Sequence, residues 1–213
     1  PNSAQEMFEF TRRAFTLADR YRLTVFILSD AFVGQMMEPV EIAGGIAPVH
    51  PKPWAVRGDA ASRDALITSI FMDPNLLDAH NRKLQEKYRQ LEQECVMAEE
   101  YRLDGASVVL VAYGIVSRIC MSAVDELRAR GVAAGLLRPQ TLYPFPKSRL
   151  AELAATGAAC AVLELSNGMM ADDVELAVKS RVPVARYGWL GGTIPTVDEV
   201  VTRIYQDFPG GER

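Results

Sequence analysis

Residues 108–146 read VVLVAYGIVSRICMSAVDELRARGVAAGLLRPQTLYPFP, and this stretch limits the fold more than any other. It opens with an apolar run at 108–112, the pattern of a parallel strand covered on both faces. A glycine turn at Gly114 follows, with Ser117 as the expected helix cap. Ile119, Cys120, Val124 and Leu127 then fall on one face of a helix that Gly131 ends. Residues 132–137 return as a second strand, so the unit is β-α-β. Arg138 and Pro139 are expected just past that strand's carboxyl end, where open α/β sheets carry their functional loops.

The same alternation continues downstream. A helix is expected at 148–156, a strand at 161–165 and an Asn167-Gly168 turn. A helix at 171–180, a strand at 182–187 and a glycine loop through Gly188, Gly191 and Gly192 follow. Thr196 with Glu199 forms a capping box that opens a last helix to about Phe208. Strands alternating with helices imply a three-layer α/β/α body around a mostly parallel sheet.

The first half reads differently. Ser3 and Glu6 form a capping box, and Met7, Thr11, Ala14, Ala18 and Tyr21 repeat at helical spacing. A β-rich apolar run at 23–28 follows, closed by Ser29-Asp30. One helix and one strand cannot bury a sheet, so residues 1–43 read as the tail of a truncated domain whose other strands lie elsewhere or on another chain. The start at Pro1, inside a capping pattern, is what a fragment or processed chain would show. Gly44, Gly45, Pro48, Pro51 and Pro53 make an irregular segment. Asp73-Pro74 then starts a long helix running to about Leu103, with Leu84, Tyr88, Leu91, Cys95 and Ala98 as an apolar seam for a neighbouring domain or subunit. The expected organisation is 1–43 as remnant, 44–105 as linker plus long helix, and 106–213 as the α/β domain.

Composition removes several function classes. The 213 residues carry a net charge of −4 with no basic stripe, which argues against nucleic acid as a partner. No apolar run approaches the roughly 20 residues of a membrane helix, and no secretory leader is read, so no membrane partner is expected. Cys95, Cys120 and Cys160 lack CxxC spacing and read as buried thiols of a reducing cytoplasm rather than cluster or zinc ligands. His50 and His80 are the only histidines and sit near no nucleophile or ligand partner, so neither a catalytic residue nor a metal site is assigned.

The remaining candidates are loops. GWLGGTIPT at 188–196 has the strand, glycines and helix start of an anion cradle, without a GxGxxG or P-loop. The low-specificity set for ligand binding is Gly114, Arg138, Asn167, Gly168, Gly191 and Gly192, with Glu164 and Asp172 beside one of these turns. Arg57-Gly58-Asp59 lacks the further glycine and the asparagine pair of a thiamine diphosphate magnesium motif.

Several segments together are similar to the α subunit of 2-oxoacid:ferredoxin oxidoreductases of the 2-ketoisovalerate or 2-oxoglutarate type. They are AFTLADRYRLTVFILSDAFVGQMMEPVEI, LQEKYRQLEQE, VVLVAYGIVSR, GLLRPQTLYPFP and YGWLGGTIP, in family order along nearly the whole chain. ELSNGMMADDV departs from an EMNxGQM-like pattern at Ser166 and Met169. The resemblance covers the later part of such a subunit: the end of a thiamine pyrimidine-side domain, a connector, and a transketolase C-terminal-like domain. It implies oxidative decarboxylation of a 2-oxoacid to an acyl-coenzyme A, with electrons passed to ferredoxin. Thiamine diphosphate, Mg and iron–sulfur clusters would then belong to the complete complex and none to this chain alone. Its partners would be a thiamine-binding β subunit and further subunits, with ferredoxin and coenzyme A engaged through the complex, and a homodimer is also open to it. The role implied for the chain is assembly and support; the alternative is a stand-alone nucleotide- or anion-binding module.

Overall fold

The computed structural model describes residues 1–42 and 52–209. His50, Gly44, Gly45, Pro48 and Pro51 lie outside the described residues. In chain order the helices are α1 (Ala4–Tyr21), α2 (Ala31–Gln35), a short 3-10 helix (Ala60–Ala65) and α3 (Pro74–Glu94). Then come β1 (Ala98–Tyr101), β2 (Val108–Val111), α4 (Gly114–Ala129), β3 (Ala134–Pro139) and α5 (Lys147–Ala155). The series closes with β4 (Ala159–Glu164), α6 (Met169–Val178), β5 (Val184–Gly188) and α7 (Val197–Asp207).

These strands form one sheet in the order β1-β3-β2-β4-β5, with β2 through β5 parallel and β1 antiparallel on the outer edge of β3. The period-2 geometry of a strand divides its residues between two cores. Val108 and Leu110 join Leu136, Ala161 and Leu163 on the face covered by α4 and α7. Val109 and Val111 join Leu137, Cys160 and Val162 on the face covered by α5 and α6. Every residue of β2 is buried, which is why that strand reads as uninterrupted valine and leucine rather than as an alternation. The three-layer, mostly parallel reading of the sequence is the observed architecture.

Four local expectations differ from the structure. The long helix stops at Glu94 instead of near Leu103, because 98–101 pairs with the open edge of β3. In that register Glu99 lies directly opposite Arg138, and the cross-strand ion pair favours a strand where AEEY alone would favour a helix. Residues 23–28, expected as a strand, form no strand and join no sheet among the described residues. Phe26 and Leu28 are correspondingly 79% and 66% exposed. Ser117 does not cap α4: the helix begins at Gly114, and the buried Ser117 hydroxyl donates within the first turn to the Gly114 carbonyl, 2.7 Å away. Arg138, finally, lies within β3 rather than beyond it.

Gly135 in β3 marks a close approach. A Cβ there would sit 2.6 Å from the Arg102 carbonyl oxygen and 2.8 Å from Leu103 Cδ2, and the backbone cannot yield cheaply. Gly135→Ala is therefore expected to destabilise the fold by about 1–3 kcal/mol, measured as a lowered urea midpoint with an unchanged slope. An unaltered midpoint would show that the 102–103 turn moves freely.

Candidate functional site: the carboxyl edge of the sheet

The strand ends of β2, β3, β4 and β5 bring the predicted loop residues to one edge, where each helix start offers unpaired backbone N–H groups. At the β2–α4 turn, Gly114 adopts φ +59. Asp30 Oδ2 accepts the Ile115 N–H at 2.8 Å while its Oδ1 accepts the Val33 N–H at 2.8 Å. One carboxylate thus serves the first turns of α2 and α4 together. A Cβ at position 114 would come within 2.3 Å of Asp30 Oδ2, so glycine is needed for space as well as for its backbone angle.

At the β4–α6 turn the arrangement repeats with a different acid. Glu164 is 3% exposed and accepts from the Met170 and Ala171 N–H groups, each at 3.0 Å, and from the Ser166 hydroxyl. Gly168 turns the chain at φ +88, and Arg186 beside it pairs with Asp172 and Glu175 at 2.8 and 2.7 Å. Burial together with the nearby Glu164 and Asp30 charges pushes the Tyr113 phenol above its usual range, with Ser166 pulling the other way. At the β5–α7 loop, Gly191 and Gly192 have φ +68 and +87 and would meet nothing within 4 Å of a Cβ. They form an exposed turn in which Thr193 N–H reaches the Leu190 carbonyl at 3.4 Å. The start of α7 is capped instead by Thr196, whose hydroxyl accepts the Glu199 N–H at 3.1 Å.

Arg138, at the β3 end, is 3% exposed. Its Nη1 and Nη2 bond Glu6 Oε2 and Oε1 at 2.8 and 2.5 Å, and its Nε reaches Glu99 Oε2 at 2.6 Å. Glu6 also accepts from the Asn2 N–H and the Gln140 amide, both at 2.9 Å. Burial opposes ionisation of Glu6, but the Arg138, Asn2 and Gln140 bonds outweigh it and hold the carboxyl below its usual range. Burial opposes the charge of Arg138 as well, but the bonds and charges of Glu6 and Glu99 outweigh it and raise the guanidinium above its ordinary value.

Nearby, α1, the 23–28 segment, the end of α3 and the 139–144 loop enclose an open, mostly apolar cleft of ≈ 650 Å³. Tyr21, Leu91 and Cys95 pack at one side of it, and Pro139, Thr141 and Tyr143 line the other. Sequence reasoning missed Asp30 and Glu6 as edge residues. The Ser3/Glu6 spacing was visible, but as a local box; only the Ser3 half forms locally, with its hydroxyl accepting the Glu6 N–H at 3.1 Å.

The chemistry of this edge is that of a closed surface. Where a bound diphosphate would need free N–H groups and positive charge, the α4 and α6 starts already hold carboxylates, and the one buried guanidinium is neutralised. Among the described residues no group of three or more His, Cys, Asp or Glu side chains converges as a metal site. Among the described residues, this edge does not fit a magnesium-diphosphate group. His80 stacks on Phe71 at 4.6 Å. No helix of the described residues is long and apolar enough to cross a membrane.

Family models match both halves of the chain. Residues 106–200 match the pyruvate:ferredoxin oxidoreductase core domain II. Residues 1–100 match the thiamine-diphosphate-binding model of pyruvate flavodoxin/ferredoxin oxidoreductases. The ketoisovalerate oxidoreductase subunit VorB of Methanothermobacter marburgensis is 44% identical over 205 residues, which span 96% of this chain and 58% of the relative. The 2-oxoglutarate synthase subunit KorA of Methanocaldococcus jannaschii is 30% identical over 226 residues, spanning 94% of this chain and 60% of that subunit. The chain therefore spans less than two thirds of the length of these curated relatives. A solved 2-oxoglutarate:ferredoxin oxidoreductase from Magnetococcus marinus superimposes with a TM-score of 0.57 at 21% identity, over 65% of this chain and 24% of that one, a likeness of fold.

Two expectations follow from the edge. Glu164→Ala strips the acceptor from two buried N–H groups and a hydroxyl, and should cost about 2–4 kcal/mol by denaturant unfolding; a change within a few tenths of a kcal/mol would contradict the buried cap. The three cysteines are buried, and burial pushes Cys120 well up and Cys160 to about 11. Neither thiol should react measurably with an aromatic disulfide reagent in the native state near pH 8, and both should react once denaturant is added.

Proposed function

The chain belongs to the 2-oxoacid:ferredoxin oxidoreductase family, and on that footing we propose that it is the later part of an α subunit that supports the active assembly rather than housing its chemistry. The reaction of the whole enzyme would convert a 2-oxoacid and coenzyme A to an acyl-coenzyme A and carbon dioxide, with electrons leaving through iron–sulfur clusters to ferredoxin. Thiamine diphosphate, magnesium and the clusters would be held by other domains and subunits, in the cytoplasm. The higher identity to the ketoisovalerate subunit favours a branched-chain 2-oxoacid over 2-oxoglutarate. In the proposed organisation 1–43 is the end of the thiamine pyrimidine-side body, 106–213 is the α/β domain, and the 44–105 connector lends β1 (Ala98–Tyr101) to that domain's sheet.

The observation that carries the supporting role is that the carboxyl edge satisfies the starts of α4, α6 and α7 with the chain's own Asp30, Glu164 and Thr196. Gly114, Arg138, Asn167, Gly168, Gly191 and Gly192 would then shape that edge rather than hold a ligand. The segment 23–28, which joins no strand of the described sheet and exposes Phe26 and Leu28, supports a partner surface. So do the exposed Leu66, Ile67, Ile70 and Met72 ahead of α3. A β subunit, or a second copy of the chain, are the partners this reading provides for.

The chain alone, given thiamine diphosphate, magnesium, coenzyme A and a branched 2-oxoacid, should reduce no viologen dye, and co-assembly with thiamine-binding and cluster-bearing subunits should restore reduction. Turnover by the isolated chain would overturn the proposal. Adenine nucleotides and coenzyme A should leave its melting temperature unchanged. A stand-alone binding module would instead gain about 2.7 kcal/mol at ~100 times the dissociation constant.

A further inference from the structure

The amino-terminal segment is joined to the rest of the molecule at two places. Its far end combines apolar packing with polar bonds: Leu17, Tyr21 and Leu23 pack with Leu91 and Cys95 of the α3 end, Tyr21 and Arg20 donate to Glu94 at 2.7 and 2.5 Å, Asp19 pairs with Lys52 at 2.7 Å, and Arg22 donates to the Ala65 carbonyl at 2.9 Å. Its near end meets the carboxyl edge of the sheet through polar groups. These are Glu6 with Arg138 and Gln140, Glu38 with Arg118 at 2.7 Å, the Asn2 carbonyl with Arg118 at 3.3 Å, and Asp30 with the Ile115 N–H. Neither of the two large cores draws a residue from 1–42. The apolar cleft lies between these two attachments.

We propose that Arg138 is an electrostatic latch. It holds the start of α1 over the carboxyl edge, and its release lets that segment swing about the Tyr21–Leu91–Cys95 cluster, opening the cleft while the α/β body stays folded. Arg138 suits the task because its fork engages Glu6 in two bonds and Glu99 in another. Those partners come from chain segments far apart in sequence, so one side chain ties α1 and β1 to β3. Apolar packing degrades gradually as surfaces part, whereas a desolvated bidentate pair is either made or broken, which gives the contact two states. The body keeps its cores in both, because the sandwich on either side of β2 is complete without α1.

Hydrogen exchange read by mass spectrometry on the 213-residue chain tests this. In Glu6→Gln, peptides spanning 4–12 should lose protection by on the order of tenfold, while those spanning 108–111 and 159–164 keep theirs. In Arg138→Met, peptides spanning 98–101 should loosen as well. If Arg138→Met does not fold, Glu6→Gln decides alone, since that variant leaves Glu99 to neutralise Arg138. Unchanged exchange across 4–12 in Glu6→Gln would overturn the latch, and so would a uniform rise across the whole body, which would make α1 part of one cooperative unit.

Discussion

A guanidinium taken out of water has to be met by anions, and the way Arg138 meets this demand organises the molecule around it. Its acceptors are Glu6 at the start of α1 and Glu99 in β1, so neutralising one residue of β3 fixes two other segments against the sheet. Such a pair adds little net stability, because desolvation offsets most of the attraction. What it supplies is selection among arrangements: any other docking of α1 takes Glu6 from Arg138 and leaves the guanidinium with Glu99 alone. The antiparallel edge strand, the attitude of α1 and the mouth of the cleft all depend on that requirement.

The same logic governs the rest of the carboxyl edge. Helix starts facing this way in open α/β sheets are sites where anions bind, since their N–H groups and dipoles point outward. Here Asp30 and Glu164 stand in those positions, with Thr196 at the start of α7. With these starts bonded to the chain's own side chains, fewer of their N–H groups are left for an anionic ligand.

Much of the sandwich was legible because it is written in local periodicity. The unbroken apolar run of β2, the single apolar face of α4 and the stop at Gly131 follow from spacing and from glycine's freedom at φ +86. Both capping boxes were legible only by half. Ser3 and Thr196 act as read, but neither glutamate returns to its N-cap N–H: Glu6 bonds Asn2, Arg138 and Gln140, and Glu199 accepts from the Trp189 indole N–H at 3.1 Å and from Arg203 at 2.7 Å. A local motif states which groups are available and says nothing of a stronger partner arriving from elsewhere. Ser117 failed as a cap for that reason: Asp30, distant in sequence, already held the first turn of α4.

The sequence by itself determined the layered α/β class, the helices and parallel strands of 108–207, and the family, since these rest on side-chain periodicity and on words of contiguous residues. Only the tertiary structure decided that 98–101 is a strand and that 23–28 has no neighbour in the described sheet. It also decided that Arg138 and the starts of α4 and α6 are spoken for by the chain's own acids. Those outcomes depend on which charges and backbone groups meet after the chain has closed on itself. Pairing across such separations carries no period for a sequence to display.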